Sequence, residues 1–585
     1  MRYFQVALYL SSVIPAWSTL AQAWPEERPA QYKFICKEVQ VPMRDGMKLM
    51  ADLYLPDAPG PFPVLVERTP YNKNNCTFRK APYFAERGYA VLIQDVRGRN
   101  RSPGEFAHLL DEGWGQKQDG YDTVEWAGTQ PWSNGKVGTM GLSYTCFNQN
   151  LMAVTQPPHL KAMFCADSAS NWYKDMLYSG GVYYQGATSW YFSRFAELRP
   201  VDWESWHRRR VEKRMGYWEA WQPPRMADYF THTTYDDYWR QLAPDEHLEK
   251  FTVPTYYMSG WYDRYPHSAT RMFNGIRERG GSKQARESVR LLLGPWLHGG
   301  GFPNRDRVIG AVDFGPEAAV NHAALMARWF DYHLREMDNG IMKEPPVRIF
   351  VMGINRFREE NEWPLARAVE TKFYLSSARS GSIDSLNDGS LSKQMAPAGD
   401  QPDVFEYDPK FPLPSIGGDL FIPPNGVQDH RPADQRSLTF TTAPFAEDTE
   451  ISGPITVELY ISSTADDTDF LATLSDVRPD GYAAYLRQNI QRASRRESLE
   501  KPEPIVPGKV YKLTVPIFPI SNLFGKGHRL RLTISSSSLP RYLPGHNKFI
   551  GNNAEDEAPW VVARNTVYHD APRPSVLIVP FIPPK

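Results

Sequence analysis

A chain of 585 residues is too long for one ordinary domain and predicts two or three, each able to bury its own core. Its 66 Lys and Arg against 67 Asp and Glu leave a formal net charge of -1, so no global field draws it to nucleic acid or to an anionic membrane. A small-molecule or short-peptide substrate is the expected partner, and an aromatic content of 13% can line apolar pockets as well as cores.

Met1-Arg2, the run Val6-Ala-Leu-Tyr-Leu10 and the small residues Ala21 and Ala23 fit a secretory signal over 1–23, although Pro15 interrupts it, so a periplasmic or secreted protein is expected. That run is too short for a membrane span, and no later stretch offers about 18 uninterrupted apolar residues. Residues 32–56, broken by Arg44-Asp-Gly46, predict a hairpin at a sheet edge, followed by a strand over Pro63 to Glu67. A helix from Ala81 to Arg87 leads to Tyr89-Ala-Val-Leu-Ile-Gln-Asp95, a continuous apolar strand of the kind buried on both faces of a parallel sheet. Val96 to Glu105 is a polar loop, and Gly120 to Ala127 a further helix.

Lys136-Val-Gly-Thr-Met140 is the next strand, while Phe147, Leu151, Met152 and Val154 recur at helical spacing until Pro157-Pro158 stops them. Ser143, in Gly141-Leu-Ser143-Tyr144, therefore falls on a tight strand-to-helix turn, where a serine hydroxyl projects clear and the first helical N–H groups can stabilise an oxyanion. Another Gly-x-Ser, Gly280-Gly-Ser282, lies in a charged loop without that context.

After a strand at Leu160 to Cys165, residues 169–249 are rich in Trp, Tyr and Arg at helical spacing and predict a helical cap over the ligand edge of the sheet. The basic run at 207–214, interleaved with glutamate, is a solvated face. Strands at Val253 to Ser259 and Ser288 to Leu293 end in Gly260-Trp-Tyr-Asp263 and Gly294-Pro-Trp-Leu-His298, which gives Ser, Asp and His in that order at successive strand ends. A helix from Ala318 to Leu334 closes a catalytic domain assigned to 24–168 and 250–345. From 346 to 585 short strands, among them Val347 to Met352, Ile455 to Ile461, Val510 to Val515, Leu530 to Ile534 and Ser575 to Pro580, predict an all-β domain, with long surface loops over 376–429.

Cys36, Cys76, Cys146 and Cys165 are too few for a disulfide framework and allow one bridge. They show no Cys-x-x-Cys spacing, no His-Glu-x-x-His helix accompanies them, and no Gly-rich phosphate loop follows a strand, so neither metal nor cofactor is expected.

Gly141-Leu-Ser143-Tyr144, Arg68-Thr-Pro-Tyr71, Asp95-Val-Arg-Gly98, Asp119 to Trp126, Pro131-Trp-Ser-Asn-Gly135, Gly260-Trp-Tyr-Asp263 and Gly294-Pro-Trp296-x-His298 together resemble the cocaine esterase and X-Pro dipeptidyl-peptidase family of serine hydrolases. The resemblance implies an α/β-hydrolase core, an inserted helical cap and a C-terminal jelly roll. It implies Ser143 as nucleophile, His298 as general base and Asp263 as its orienting carboxylate, with an oxyanion held by the Tyr144 N–H and the Tyr71 phenol.

Three positions depart from the family pattern. Cys146 stands where a glycine packs helix on strand and reads as a small buried residue. Asn100 replaces a loop glycine, and Pro103 follows it. Relatives that act on α-amino esters carry acids just after the catalytic Asp, where this chain has Arg264-Tyr-Pro266, which argues against an α-amino acyl substrate. The expected activity is therefore ester or amide hydrolysis of small acyl substrates. Dipeptidyl-peptidase action is the alternative, with Asp236, Asp237 or Glu219 as candidate ammonium ligands, and a non-catalytic binding protein on the same fold is a third reading. His267 is expected to be structural. The oligomeric state is not legible.

Overall fold

A computed structural model of the protein describes residues 24, 27–187, 190–191, 226–419, 424–549 and 559–583. The signal expected over 1–23, the basic run at 207–214 and Glu219 lie outside the described residues.

The catalytic domain is one ten-stranded sheet: β1 (Phe34–Pro42), β2 (Lys48–Pro56), β3 (Phe62–Thr69), β4 (Ala90–Asp95), β5 (Ser133–Leu142), β6 (Leu160–Ala166), β7 (Thr255–Gly260), β8 (Arg290–Gly294), β9 (Val347–Val351) and β10 (Arg356–Glu360). Its spatial order is β1-β2-β4-β3-β5-β6-β7-β8-β9-β10. Every pairing from β4 through β9 is parallel. The two ends are antiparallel, as the hairpin reading of 32–56 requires on one side. Every residue of β4, β7 and β8 is buried, which is why these strands read as unbroken apolar runs rather than alternating ones.

Five helices matter for the site: α1 (Ala81–Ala85), α2 (Asp119–Gly128), α3 (Tyr144–Ala153), α4 (Pro266–Arg279) and α5 (His322–Arg335). Glycines at positions of opposite parity in β5 let helices approach both faces. A Cβ at Gly138 would strike Phe330 and Leu334 of α5, and one at Gly141 would strike the carbonyl of Thr145 in α3. On the α5 side, Trp329 is fully buried and its indole N–H donates to the Met163 carbonyl at 3.0 Å. The helix starts four residues later than its apolar pattern suggests, because Pro316–Ala318 forms a 3-10 turn and Asn321 caps the helix proper by accepting from the Ala324 N–H. Helix α4, with Pro266 in its first turn and Ala269, Met272, Phe273 and Ile276 on its buried side, was not foreseen from the sequence although its spacing is helical.

Not every strand after 346 joins the second sheet. Val347–Val351 and Arg356–Glu360 hydrogen-bond into the catalytic sheet, not the second domain. A short apolar strand such as Val347 to Val351 has no periodicity that separates a sandwich strand from a parallel one. Beyond it lies an all-β domain with an eleven-stranded sheet. The stretch 376–429 is not all surface loop, since Gly389–Ser392 and Asp403–Tyr407 are strands of that sheet. The described part of the cap region holds a π-helical turn Trp172–Leu177, the small hairpin Tyr178–Ser179 with Val182–Tyr183, and the short helices Met226–Thr231 and Asp237–Arg240.

Two disulfides form, not the single one the sequence allowed: Cys36–Cys76 joins β1 to the loop before α1, and Cys146–Cys165 joins α3 to β6. Each pair is distant in sequence and adjacent only once the sheet is assembled. Alkylation of denatured, unreduced protein should label no cysteine. Cys165→Ala, which opens a link between residues 19 apart, should destabilise the catalytic domain by about 3 kcal/mol in urea unfolding.

Candidate active site

Strand β5 ends at Leu142 and α3 begins at Tyr144, so the whole reversal falls on Ser143, whose φ of 64° and ψ of -123° an L-residue adopts only at a cost of about 1–3 kcal/mol. Its neighbours hold it there. The Ser143 N–H donates to the Ala166 carbonyl at 2.9 Å, and its own carbonyl accepts from the Phe147 N–H at 2.9 Å. Thr145 Oγ1 accepts from the Leu142 N–H at 2.8 Å and donates to Glu67 at 3.1 Å. The amide of Asn148 ties the same helix to the Arg68 carbonyl at the end of β3. Cys146, read from sequence as a small buried residue, is buried and disulfide-bonded to β6, so a covalent link stands where relatives pack through a glycine.

Asp263 and His298 follow β7 and β8, so all three sequence-predicted residues sit at the carboxyl ends of parallel strands on one edge of the sheet. The structure brings them together. His298 Nε2 lies 2.8 Å from Ser143 Oγ, and His298 Nδ1 lies 2.9 Å from Asp263 Oδ1. Asp263 is fully buried and also accepts from the Ser259 hydroxyl at 3.2 Å and the Arg264 N–H at 2.6 Å. Close packing fixes its loop: a Cβ at Gly260 would strike the Trp296 carbonyl. Burial pushes the His298 imidazole down, but the Asp263 carboxylate, helped by Asp167 and opposed by Arg305, more than reverses this and leaves it above its ordinary value.

Tyr144, the residue after Ser143, presents its N–H at the first helical position, and the ring of Tyr71 meets the Tyr144 ring edge-on at 6.2 Å. Tyr71 lies in a loop held by Asp95 at the end of β4, which accepts from the Lys73 N–H at 2.8 Å. Asn100 serves that loop too. It occupies the left-handed conformation (φ 51°) that a glycine would take, and its amide donates to Asp95 at 3.1 Å and to the Pro70 carbonyl at 3.3 Å. The cleft beside Ser143 is lined by Tyr144, Ser168, Ala169, Trp172, Met176, Trp190 and Tyr265.

The remaining ionisable candidates are engaged elsewhere. His267 pairs with Asp175 at 3.0 Å and stacks on Phe518, outside the triad. Asp236 caps the helix Asp237–Arg240 and pairs with His232, while Asp237 is exposed beside Arg240. Arg264 turns away from the cleft, its guanidinium donating to the Asp175 carbonyl at 2.6 Å and lying 3.5 Å over the Tyr184 ring.

Residues 45–300 match the X-Pro dipeptidyl-peptidase (S15 family) model, and residues 339–578 match the X-Pro dipeptidyl-peptidase C-terminal non-catalytic domain. The chain is 32% identical to the cocaine esterase of Rhodococcus sp. (strain MB1 Bresler) over 94% of its own length and 98% of that protein. An α-amino acid ester hydrolase structure superposes with a TM-score of 0.81 at 24% identity, covering 98% of this chain and 100% of that one. An aminopeptidase from the marine sediment archaeon Thaumarchaeota archaeon gives 0.80 at 23% identity, covering 96% and 99%. At these identities the two structures speak for the fold.

The charge arrangement around the imidazole has a sign that can be measured. In Asp263→Asn the largest upward push is gone and burial dominates, so the His298 titration midpoint followed by NMR of ring-labelled protein should fall. An unchanged midpoint would refute this electrostatic account.

Proposed function

Because the chain belongs to the X-Pro dipeptidyl-peptidase and cocaine esterase family of serine hydrolases, we propose that Ser143, His298 and Asp263 act as its catalytic triad, cleaving ester or amide bonds of small acyl substrates through an acyl-enzyme. The unbroken hydrogen-bonded chain from Ser143 Oγ through the imidazole to Asp263 supports this reading. His298 Nε2 takes the proton of Ser143 as Oγ attacks the carbonyl carbon, and Asp263 holds Nδ1–H and stabilises the imidazolium. The tetrahedral oxyanion receives the Tyr144 N–H and the Tyr71 phenol. His298 then returns the proton to the departing alcohol or amine, and water, activated by the same nitrogen, releases the acid.

The acyl group proposed is neutral and apolar. Among the described residues, the lining of the cleft next to Ser143 is mostly aromatic and aliphatic and includes no carboxylate that could receive the ammonium of a dipeptide. Two buried acids of this region are engaged: Asp175 and Asp245 share Arg271, and Asp175 also meets His267, which burial holds down to about 4. Export is proposed on the signal-like segment at 1–23, and the two disulfides, which persist in oxidising compartments, support it.

The expected outcome is rapid hydrolysis of p-nitrophenyl acetate and butyrate, little release from Gly-Pro-p-nitroanilide, and loss of kcat by about 10⁴-fold or more in Ser143→Ala. Preferential Gly-Pro release would overturn the substrate assignment. Tyr71→Phe should lower kcat by about 10²-fold, the effect of losing one oxyanion donor. Because a protonated imidazole cannot accept the serine proton, kcat/KM should fall as pH drops through a midpoint above about 6.5, the ordinary histidine value.

A further inference from the structure

A second carboxylate stands one layer behind the triad. Asp167 follows β6 directly and is fully buried, with its backbone in the left-handed region (φ 46°). Its N–H donates to the Met258 carbonyl in β7 at 2.8 Å, and the residue before it supplies the carbonyl that receives the Ser143 N–H. Its Oδ2 accepts from the Gly299 N–H, the residue after His298, at 3.1 Å, and from Arg305 Nη1 at 2.7 Å. Both side chains of the Asp167–Arg305 pair are wholly removed from solvent. The pair is also incompletely satisfied, since Asp167 Oδ1 and Arg305 Nε and Nη2 are buried without a hydrogen-bond partner, although the guanidinium lies over the Trp296 ring at 5.3 Å.

Such a pair is a poor way to stabilise a fold, because desolvating both ions costs as much as apolar packing would gain. Its position gives it another use. We propose that Asp167 is a positioning residue for the triad: it anchors the His298 loop through Gly299 and Arg305, links it to the strand end that holds the Ser143 turn, and sets a second negative charge beside the imidazole. The inference rests on the reading of His298 as general base.

Among the described residues, the charges acting on His298 include Asp263, Asp167 and Arg305, with the Tyr265 ring against it at 5.5 Å; Arg487 also feels the Asp263 charge, and the Arg264 N–H donates to Asp263. Asp167 pushes the histidine upward, as Asp263 does, and Arg305 opposes both. Burial also pushes Asp167 itself up to about 6 against the pull of Arg305. A merely structural anchor would hold the loop with a neutral group equally well and leave the pH profile unmoved, so charge and anchoring can be tested apart.

Two variants separate them, with each rate referred to the folded enzyme by fluorophosphonate active-site titration. Asp167→Asn keeps size and removes the charge. It should lower kcat by about tenfold with KM within about twofold, and shift the acid limb of kcat/KM to lower pH by roughly half a unit. Arg305→Lys keeps the charge but replaces the planar guanidinium that reaches Asp167 through Nη1 and lies over the Trp296 ring, so kcat should fall about fivefold with the limb in place. An unmoved limb in Asp167→Asn overturns the proposal whatever its kcat. If Asp167→Asn yields no titratable enzyme, Arg305→Lys decides: wild-type kcat overturns the proposal, and a fall at constant KM supports it. Loss of turnover in Ser143→Ala tests the triad itself, so failure of that reading is seen independently.

Discussion

The strained single-residue turn at Ser143 is the constraint on which the rest of the catalytic domain depends. A backbone held at φ 64° relaxes unless its surroundings determine it more strongly than the strain opposes it. Here three features do so at once. Hydrogen bonds with Ala166, Thr145 and Phe147 close the turn, the missing side chain at Gly141 lets α3 lie against β5, and the Cys146–Cys165 disulfide joins the first turn of α3 to the neighbouring strand. The disulfide sets the distance between helix and strand covalently, where a glycine would hold it by close packing alone. A covalent link tolerates the larger side chain because the sulfur that fills the space is itself the bond.

The same economy applies to the other two members. Parallel strands release their loops at one edge, so a nucleophile after β5, an acid after β7 and a histidine after β8 converge without long excursions of the chain. The loops are then held from behind. Gly260 packs on the Trp296 carbonyl, which lies two residues before His298, and Asp167 reaches the N–H just after it. The β domain joins this support, since Arg487 donates to the Trp261 carbonyl at 2.6 Å, two residues before Asp263. It also grips the cap: the Arg492 N–H donates to the Gly180 carbonyl, and Asp419, which accepts from Tyr184 at 2.5 Å, sits against Arg541. The second domain therefore braces the acid loop and the hairpin of the cap while contributing no residue to the triad.

Buried charge runs through this molecule as a means of fixing loops. Asp95 collects the N–H groups of Lys73 and Arg101, Asp175 those of Ser170 and Asn171, and Asp263 takes the Arg264 N–H with the Ser259 hydroxyl. A carboxylate that accepts several N–H donors defines a loop conformation more sharply than apolar contact can, because hydrogen bonds are directional. Asn100 shows the same principle in a neutral form. It supplies the left-handed backbone that a glycine would give and adds two side-chain bonds that tie the Tyr71 loop to Asp95.

The sequence by itself determined the α/β core with its all-β appendage, and the positions of Ser143, Asp263 and His298. These follow from local signals: apolar runs long enough for buried strands, a Gly-x-Ser at a strand-to-helix junction, and ionisable residues just past strand ends. It also placed His267 outside the triad. Helix α4 carries the same periodicity. Only the tertiary structure decided which sheet Val347–Val351 joins, that Cys36 meets Cys76 and Cys146 meets Cys165, and that Asp167 stands behind His298 with Arg305. Each of these is a pairing between residues far apart in the chain. Strand patterns and single cysteines or aspartates are chemically complete without naming a partner; the partner is fixed by strand order and sheet register, which emerge only when the whole core packs.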